Sequence, residues 1–327
     1  MMMMNIEYVS CKISAICWLH DDQFIRQSID SNELFWLCGT HLSASKNFLT
    51  IYSKQEPIND QQRAGIVQLK NFRQLVNANV VGLANYDKRS SFYSLSNGQI
   101  SLLQYDRESG FQTVHDWFND DISDHKTTAI IVNNQSELIS CGLDGRLMFF
   151  DIHSRITSKS RPLTLNSLHC MDKISDNEFI CGTTSGHLKI FDRRNENVEL
   201  NMANEMSIIT AVKRNINNPH IVACGNDLGL LYIWDLRNSG HRPMQPISVH
   251  GAEINCLKYI PNERNTIMTS SLDGQLIKWN ISNDFEIDTV EAIIDNKKNT
   301  YPINCFDIYK NQIVFADDNE VLYLTSF

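Results

Sequence analysis

Polar and apolar positions along this chain follow a recurring pattern. Four segments share one form, 145–151 (GRLMFFD), 186–192 (GHLKIFD), 229–235 (GLLYIWD) and 274–280 (GQLIKWN): a Gly, alternating apolar residues, then an aromatic followed by Asp or Asn. Weaker copies stand at 47–53 (NFLTIYS), 98–104 (GQISLLQ) and 319–325 (NEVLYLT). Their penultimate residues are 52, 103, 150, 191, 234, 279 and 324, at intervals of 51, 47, 41, 43, 45 and 45. Alternation with period two predicts strands. Asp144-Gly145 and Asp273-Gly274, each between two such runs, predict tight hairpins. Further apolar runs at 167–174, 208–212, 253–260 and 303–308 give each unit at least three strands and room for a fourth. No segment holds a helical period for more than two or three turns.

Four short strands repeated every 40 to 45 residues and closing on Trp-Asp resemble the WD-repeat β-propellers. The resemblance implies an all-β, seven-bladed WD-repeat β-propeller, which reads the 327 residues as seven units of a single domain and not as two domains. The approximate blades are 13–70, 71–115, 125–165, 166–205, 206–249, 250–295 and 300–327. The N-terminal strand at 6–12 is expected to complete the last blade, because an open ring would leave two sheet edges bare.

Composition narrows the function classes. Lys and Arg number 29 against 38 Asp and Glu, so the net charge of −9 argues against direct nucleic-acid binding or an anionic-membrane footprint. No apolar run approaches the length that spans a bilayer, and Met1 to Met4 lead into Asn5 and Glu7 where a signal peptide needs an apolar stretch, so no membrane insertion is expected. The nine cysteines are odd in number and include no Cys-x-x-Cys pair, which speaks against a disulfide framework or a zinc knuckle. Instead Cys38, Cys141, Cys181 and Cys224 each precede a Gly on second strands, while Cys17, Cys170, Cys256 and Cys305 are read as equivalent points on first strands. At such places a thiol packs as a small hydrophobe.

Catalytic motifs are wanting. None of the 14 glycines is followed by Lys, as a phosphate-binding loop requires. In Gly182-Thr183-Thr184-Ser185-Gly186 the Ser is one place late for a nucleophile elbow and lies in a strand-to-strand turn. No His-Glu-x-x-His spacing occurs. The reading is therefore no enzyme, no cofactor and no metal.

Three groups of residues stand out. The WD-repeat resemblance implies that His250, Ser271, Asp273 and Trp279 form a structural hydrogen-bonded tetrad within one blade. Asp116, Trp117, Phe118, Asp120 and Asp121 form an acidic stretch with aromatics, which suits a partner contact or, more plainly, a solvated insertion whose aromatics pack on their own blade. Phe191-Asp192-Arg193-Arg194 and Trp234-Asp235-Leu236-Arg237 resemble the box by which WD-repeat receptors dock on the adaptor of cullin ubiquitin ligases. On that alternative Asp192, Arg194, Asp235 and Arg237 would serve a substrate receptor; otherwise the arginines pair with their own blades.

Within the propeller family, Val9-Ser10-Cys11-Lys12-Ile13-Ser14 before Trp18, the run 186–194, the stretch from Asn218-Pro219-His220 to Arg237, and Val321-Leu322-Tyr323-Leu324 near the last residue resemble the small WD-repeat nucleoporins of the outer-ring, Y-shaped scaffold. That resemblance implies a scaffold subunit at the nuclear pore, bound to other outer-ring nucleoporins, with a helical nucleoporin of the short arm as partner. It also implies support of pore assembly and of protein and mRNA transport, with a kinetochore role in mitosis. A cullin-ligase substrate receptor and a chromatin-peptide-binding propeller are the alternatives.

Overall fold

In the computed structural model of the chain, the described residues are 4–9, 11–19, 34–41, 46–55, 65–106, 109–117, 125–194, 198–203, 207–237, 246–248, 250–282, 287–294 and 301–327. Among them the chain forms seven four-stranded sheets, the blades of a seven-bladed β-propeller, and no helix. Two compact units divide it, Met1–Gln135 with Cys305–Phe327, and Ser136–Asn304.

The first unit holds the sheet Ile13–Trp18, Phe35–Thr40, Asn47–Gln55, Gly65–Val76 and the sheet Val80–Asp87, Ser90–Leu95, Ile100–Asp106, Gly110–Trp117. It also contains the meeting of the chain ends. Asn5–Tyr8 lies antiparallel to Val321–Ser326, Asn5 opposite Leu324 and Tyr8 opposite Val321, and so supplies the fourth strand of the last blade as expected. The third sheet takes Thr127–Asn134, Glu137–Gly142, Arg146–Asp151 and Ile156–Pro162. The second unit contains the sheets that begin at Leu168–Lys173, Ile209–Arg214 and Ile254–Tyr259.

Second strands such as Phe35–Thr40, Ile221–Asn226 and Thr266–Ser271 are buried at every residue, because both of their faces meet neighbouring sheets. The core is consequently divided into layers between blades. In the first unit one layer gathers Leu37, Ile51, Val80 and Tyr93, and another gathers Trp18, Trp36, Val314 and Leu322. In the second unit Ile180, Val222 and Trp234 form one layer and Ile233, Ile254, Leu257 and Trp279 the next.

Polar links cross these layers at a bulge in the first strand. The ladder skips one residue between Ile13 and Ala15, Ile209 and Ala211, and Ile254 and Cys256. An extra residue at a bulge re-aims its side chain. Ser14 Oγ donates to Val80 O at 2.6 Å, Thr210 Oγ1 to Ile254 O at 2.5 Å, and Asn255 Nδ2 to Ile303 O, each on the first strand of the following blade. At the far end of the first strands, Asp307 accepts from Trp18 N at 2.8 Å and Asp172 from Arg214 N at 2.7 Å.

The hairpin between second and third strands is also pinned by a side chain at a fixed place. Thr183 Oγ1 accepts from His187 N, Ser271 Oγ from Asp273 N, and Asn226 Oδ1 from Leu228 N and Leu230 N. In the last blade Asp317 does this work for Asn319 N and Val321 N, and accepts a further bond from Tyr323 Oη at 2.8 Å. Burial pushes the Asp317 carboxyl above the ordinary carboxylate range despite those three donors. A carboxyl raised in the folded state binds its proton more readily there than in the unfolded chain. Its ionised form therefore costs stability above the folded pKa, and the cost disappears below the unfolded value. Asp317→Asn, which copies Asn226, should thus stabilise the protein at pH 7 by an amount on the order of 1 kcal/mol or less. In urea unfolding that gain should vanish as the pH approaches 3.8 or lower. A destabilised variant at pH 7 would refute it.

Candidate functional site

Strand register, hairpin and entry loop of the sixth blade bring His250, Thr269, Asp273 and Trp279 together. Trp279 Nε1 donates to Thr269 Oγ1 at 2.9 Å, and His250 Nε2 lies 2.8 Å from the same hydroxyl. His250 Nδ1 stands 3.1 Å from Asp273 Oδ2, whose carboxylate also accepts from Gly251 N and Gln275 N. Burial lowers the His250 pKa against the opposing pull of Asp273, so the ring is neutral near pH 7. A neutral ring that donates from Nδ1 to Asp273 accepts the Thr269 hydroxyl at Nε2. The whole array then reads in one direction, from Trp279 through Thr269 and His250 to Asp273.

The hydroxyl in this array is Thr269, where the sequence pattern pointed to Ser271. The two are two apart on one strand and share a face, so composition alone does not separate them. Ser271 Oγ instead donates to Ala252 O at 3.0 Å and accepts from Asp273 N. Ser271 therefore makes no nucleophile with His250, and Thr269 is fully buried between an indole and an imidazole. The array fastens a hairpin to the loop that enters its own blade.

The same register explains the cysteines. Cys181 stands opposite Lys189 and Cys224 opposite Tyr232, the place that Thr269 holds opposite Ile277. Cys38 fills it in the first blade, opposite Thr50. Cys141 departs from the expected equivalence, since it stands opposite Leu147 as Gly182 stands opposite Leu188, one residue further on. Cys17 departs too. Ala15 opposite Gly39 is the counterpart of Cys170 opposite Gly182, which puts Cys17 two residues beyond. Burial raises the thiol of Cys224 to about 12 against the pull of the Trp234 indole, and raises Cys38 and Cys181 as well. Protonated thiols of this kind are poor nucleophiles.

The two aromatic-Asp-x-Arg endings are closed on themselves. Arg194 forks onto Asp192 through Nε at 2.9 Å and Nη2 at 2.6 Å, and Nη2 also reaches Glu178. Arg237 forks onto Asp235 at 3.0 and 2.7 Å. Each Asp also caps the turn by accepting from the backbone N of its arginine, and these bonds hold both carboxyls below the usual range. Arg193, which carried no weight in the motif, is the residue that crosses between blades, bonding Glu137 at 2.9 and 3.3 Å.

In the acidic stretch Trp117 is not a displayed anchor. It ends the ladder of the outer strand opposite Ile100, is buried, and packs on Phe92 at 5.9 Å and His115 at 4.4 Å between ring centroids. Asp116 is exposed and accepts from Gln99 Nε2 at 3.2 Å. Phe118, Asp120 and Asp121 lie outside the described residues.

Comparison with known proteins agrees with this architecture. The family model described as "WD domain, G-beta repeat" matches residues 241–280, which contain the His250 to Trp279 array. Over 162 residues, 48% of the chain, the sequence is 30% identical to Nucleoporin Nup43 of Homo sapiens and 29% identical to Nucleoporin Nup43 of Mus musculus. The matched stretch spans 42% of each relative, less than half of its length. The seven four-stranded sheets make the chain a seven-bladed β-propeller, and the repeat and these matches make it similar to WD-repeat proteins, the Nup43 nucleoporins among them.

Proposed function

We propose that this chain is a non-enzymatic scaffold subunit of the nuclear pore complex, acting as a single propeller domain in the outer-ring, Y-shaped subcomplex. The observation that carries the reading is its 30% identity over 162 residues to human Nucleoporin Nup43. On this reading its partners are other outer-ring nucleoporins, among them a helical nucleoporin of the short arm. It resides at the nuclear envelope, supports pore assembly and the transport of protein and mRNA, and serves the kinetochore in mitosis. Two of the groups singled out in the sequence have structural work among the described residues. His250, Thr269 and Asp273 are consumed by the hairpin array, and Arg194 and Arg237 are forked onto their own aspartates.

Affinity purification of the tagged chain from its own cells, followed by mass spectrometry, tests this. Near-stoichiometric recovery of outer-ring nucleoporins is the expected result, and recovery of a cullin and its adaptor alone would overturn it. The Arg194→Ala, Arg237→Ala double variant should keep its staining at the nuclear rim.

A further inference from the structure

A cleft of about 230 Å³ lies between the third and fourth blades of the second unit, lined by Phe149, Lys159, Arg161, Phe191 and Arg193. Its floor is aromatic. Phe149 and Phe191 are buried, with ring centroids 6.3 Å apart. Its walls are cationic. Lys159 and Arg161 stand opposite Phe149 and Leu147 in the ladder, two residues apart on the outer strand Ile156–Pro162, so they share a face. Arg193 closes the other side with its Cζ 5.6 Å from the Phe149 centroid, held there by its two bonds to Glu137. The lining thus carries three cations, of which Arg193 is already paired with Glu137 beside the cleft, in a chain whose net charge is −9. Nothing in the propeller requires this, since outer strands need only polar side chains on their open edge.

Size and field select the ligand. The volume suits one side chain, not a nucleotide strand, and the overall negative charge disfavours a polyanion. An apolar floor beneath a cationic rim fits a group with a carbon stem and an anionic head, and planar guanidinium forks suit carboxylate or phosphate oxygens. We propose that this cleft binds an anionic side chain from a peptide segment of a partner protein, a glutamate or a phosphorylated residue, with its stem on Phe149 and Phe191 and its head at Lys159 and Arg161, across the cleft from the Arg193–Glu137 pair. The proposal is independent of the pore assignment.

Fluorescence anisotropy of the purified full chain with labelled short peptides tests it. One peptide carries glutamate between apolar residues, one carries phosphotyrosine at that position, and one carries glutamine. Saturable binding of either anionic peptide, weakened by salt and absent with glutamine, is expected, and whichever anionic peptide binds identifies the head group. The Lys159→Glu, Arg161→Glu double variant should weaken binding at least about tenfold while keeping the wild-type melting temperature within a few degrees. Should that variant unfold, the milder Lys159→Gln, Arg161→Gln pair should still weaken binding measurably. Equal binding of the glutamine peptide, binding unchanged in a folded charge variant, or no saturable binding of either anionic peptide would overturn the proposal.

Discussion

Replacing Thr269 by Val should destabilise the protein by about 2–4 kcal/mol in urea unfolding, while Ser271→Ala should cost about 1 kcal/mol. Valine nearly matches threonine in shape, so no cavity opens and the loss is almost entirely one of hydrogen bonds. It strands two buried groups at once, the Trp279 indole N–H and the His250 Nε2. Each costs about 1–3 kcal/mol when left without a partner. Ser271 serves a carbonyl of the entry loop and an amide of the hairpin, neither shared with the indole or the imidazole, and the loss is smaller. Thr269→Cys should fall between, because Cys224 occupies that register position beneath Trp234 in the fifth blade. A costlier Ser271→Ala than Thr269→Val would show that the array is not what holds the sixth hairpin.

That pair of residues also marks where sequence stops being sufficient. The repeat was legible because each blade must present alternating side chains to two neighbouring layers, so Gly229 to Asp235 and Gly274 to Asn280 carry the same spacing. Closure by Asn5–Tyr8 was legible from the need to cover an edge. Which hydroxyl serves the indole was not, since Thr269 and Ser271 share parity and only the register opposite Ile277 chooses between them. Cys17 and Cys141 were misplaced for a related reason. Cys17 lies two residues beyond Ala15 and so shares its face, and Cys141 sits one step along from Ser140, which stands opposite Met148. For Trp117 the acidic surroundings left both a displayed anchor and a side chain packed on its own blade open, and the ladder, which turns it onto Phe92, chooses the second. The cleft at Lys159, Arg161 and Arg193 has no sequence signature, because its two walls come from different repeats.

Gly229→Ala should cost at least about 3 kcal/mol, and its effect should couple to that of Thr269→Val. Gly229 has φ +79°, which a side chain resists, but the larger obstacle is space. An added Cβ would stand 2.3 Å from His250 O and 2.7 Å from Ala252 O, both backbone atoms of the loop entering the sixth blade. That loop cannot withdraw without shifting the peptide that carries His250, and with it the bonds to Thr269 and Asp273. Once Thr269→Val has removed the hydroxyl, moving His250 costs less. The double variant should therefore be less destabilised than the sum of the singles, by about 1 kcal/mol or more. Gly145 provides the control. It has φ +72° and would place its Cβ 2.2 Å from Thr164 O, yet that loop enters the fourth blade and holds no member of the array. Gly145→Ala should be comparably destabilising and should add to Thr269→Val within about 0.5 kcal/mol. Equal coupling at both glycines would mean that the blades communicate through the whole core, and additivity at both that the hairpin of one blade does not position the histidine of the next.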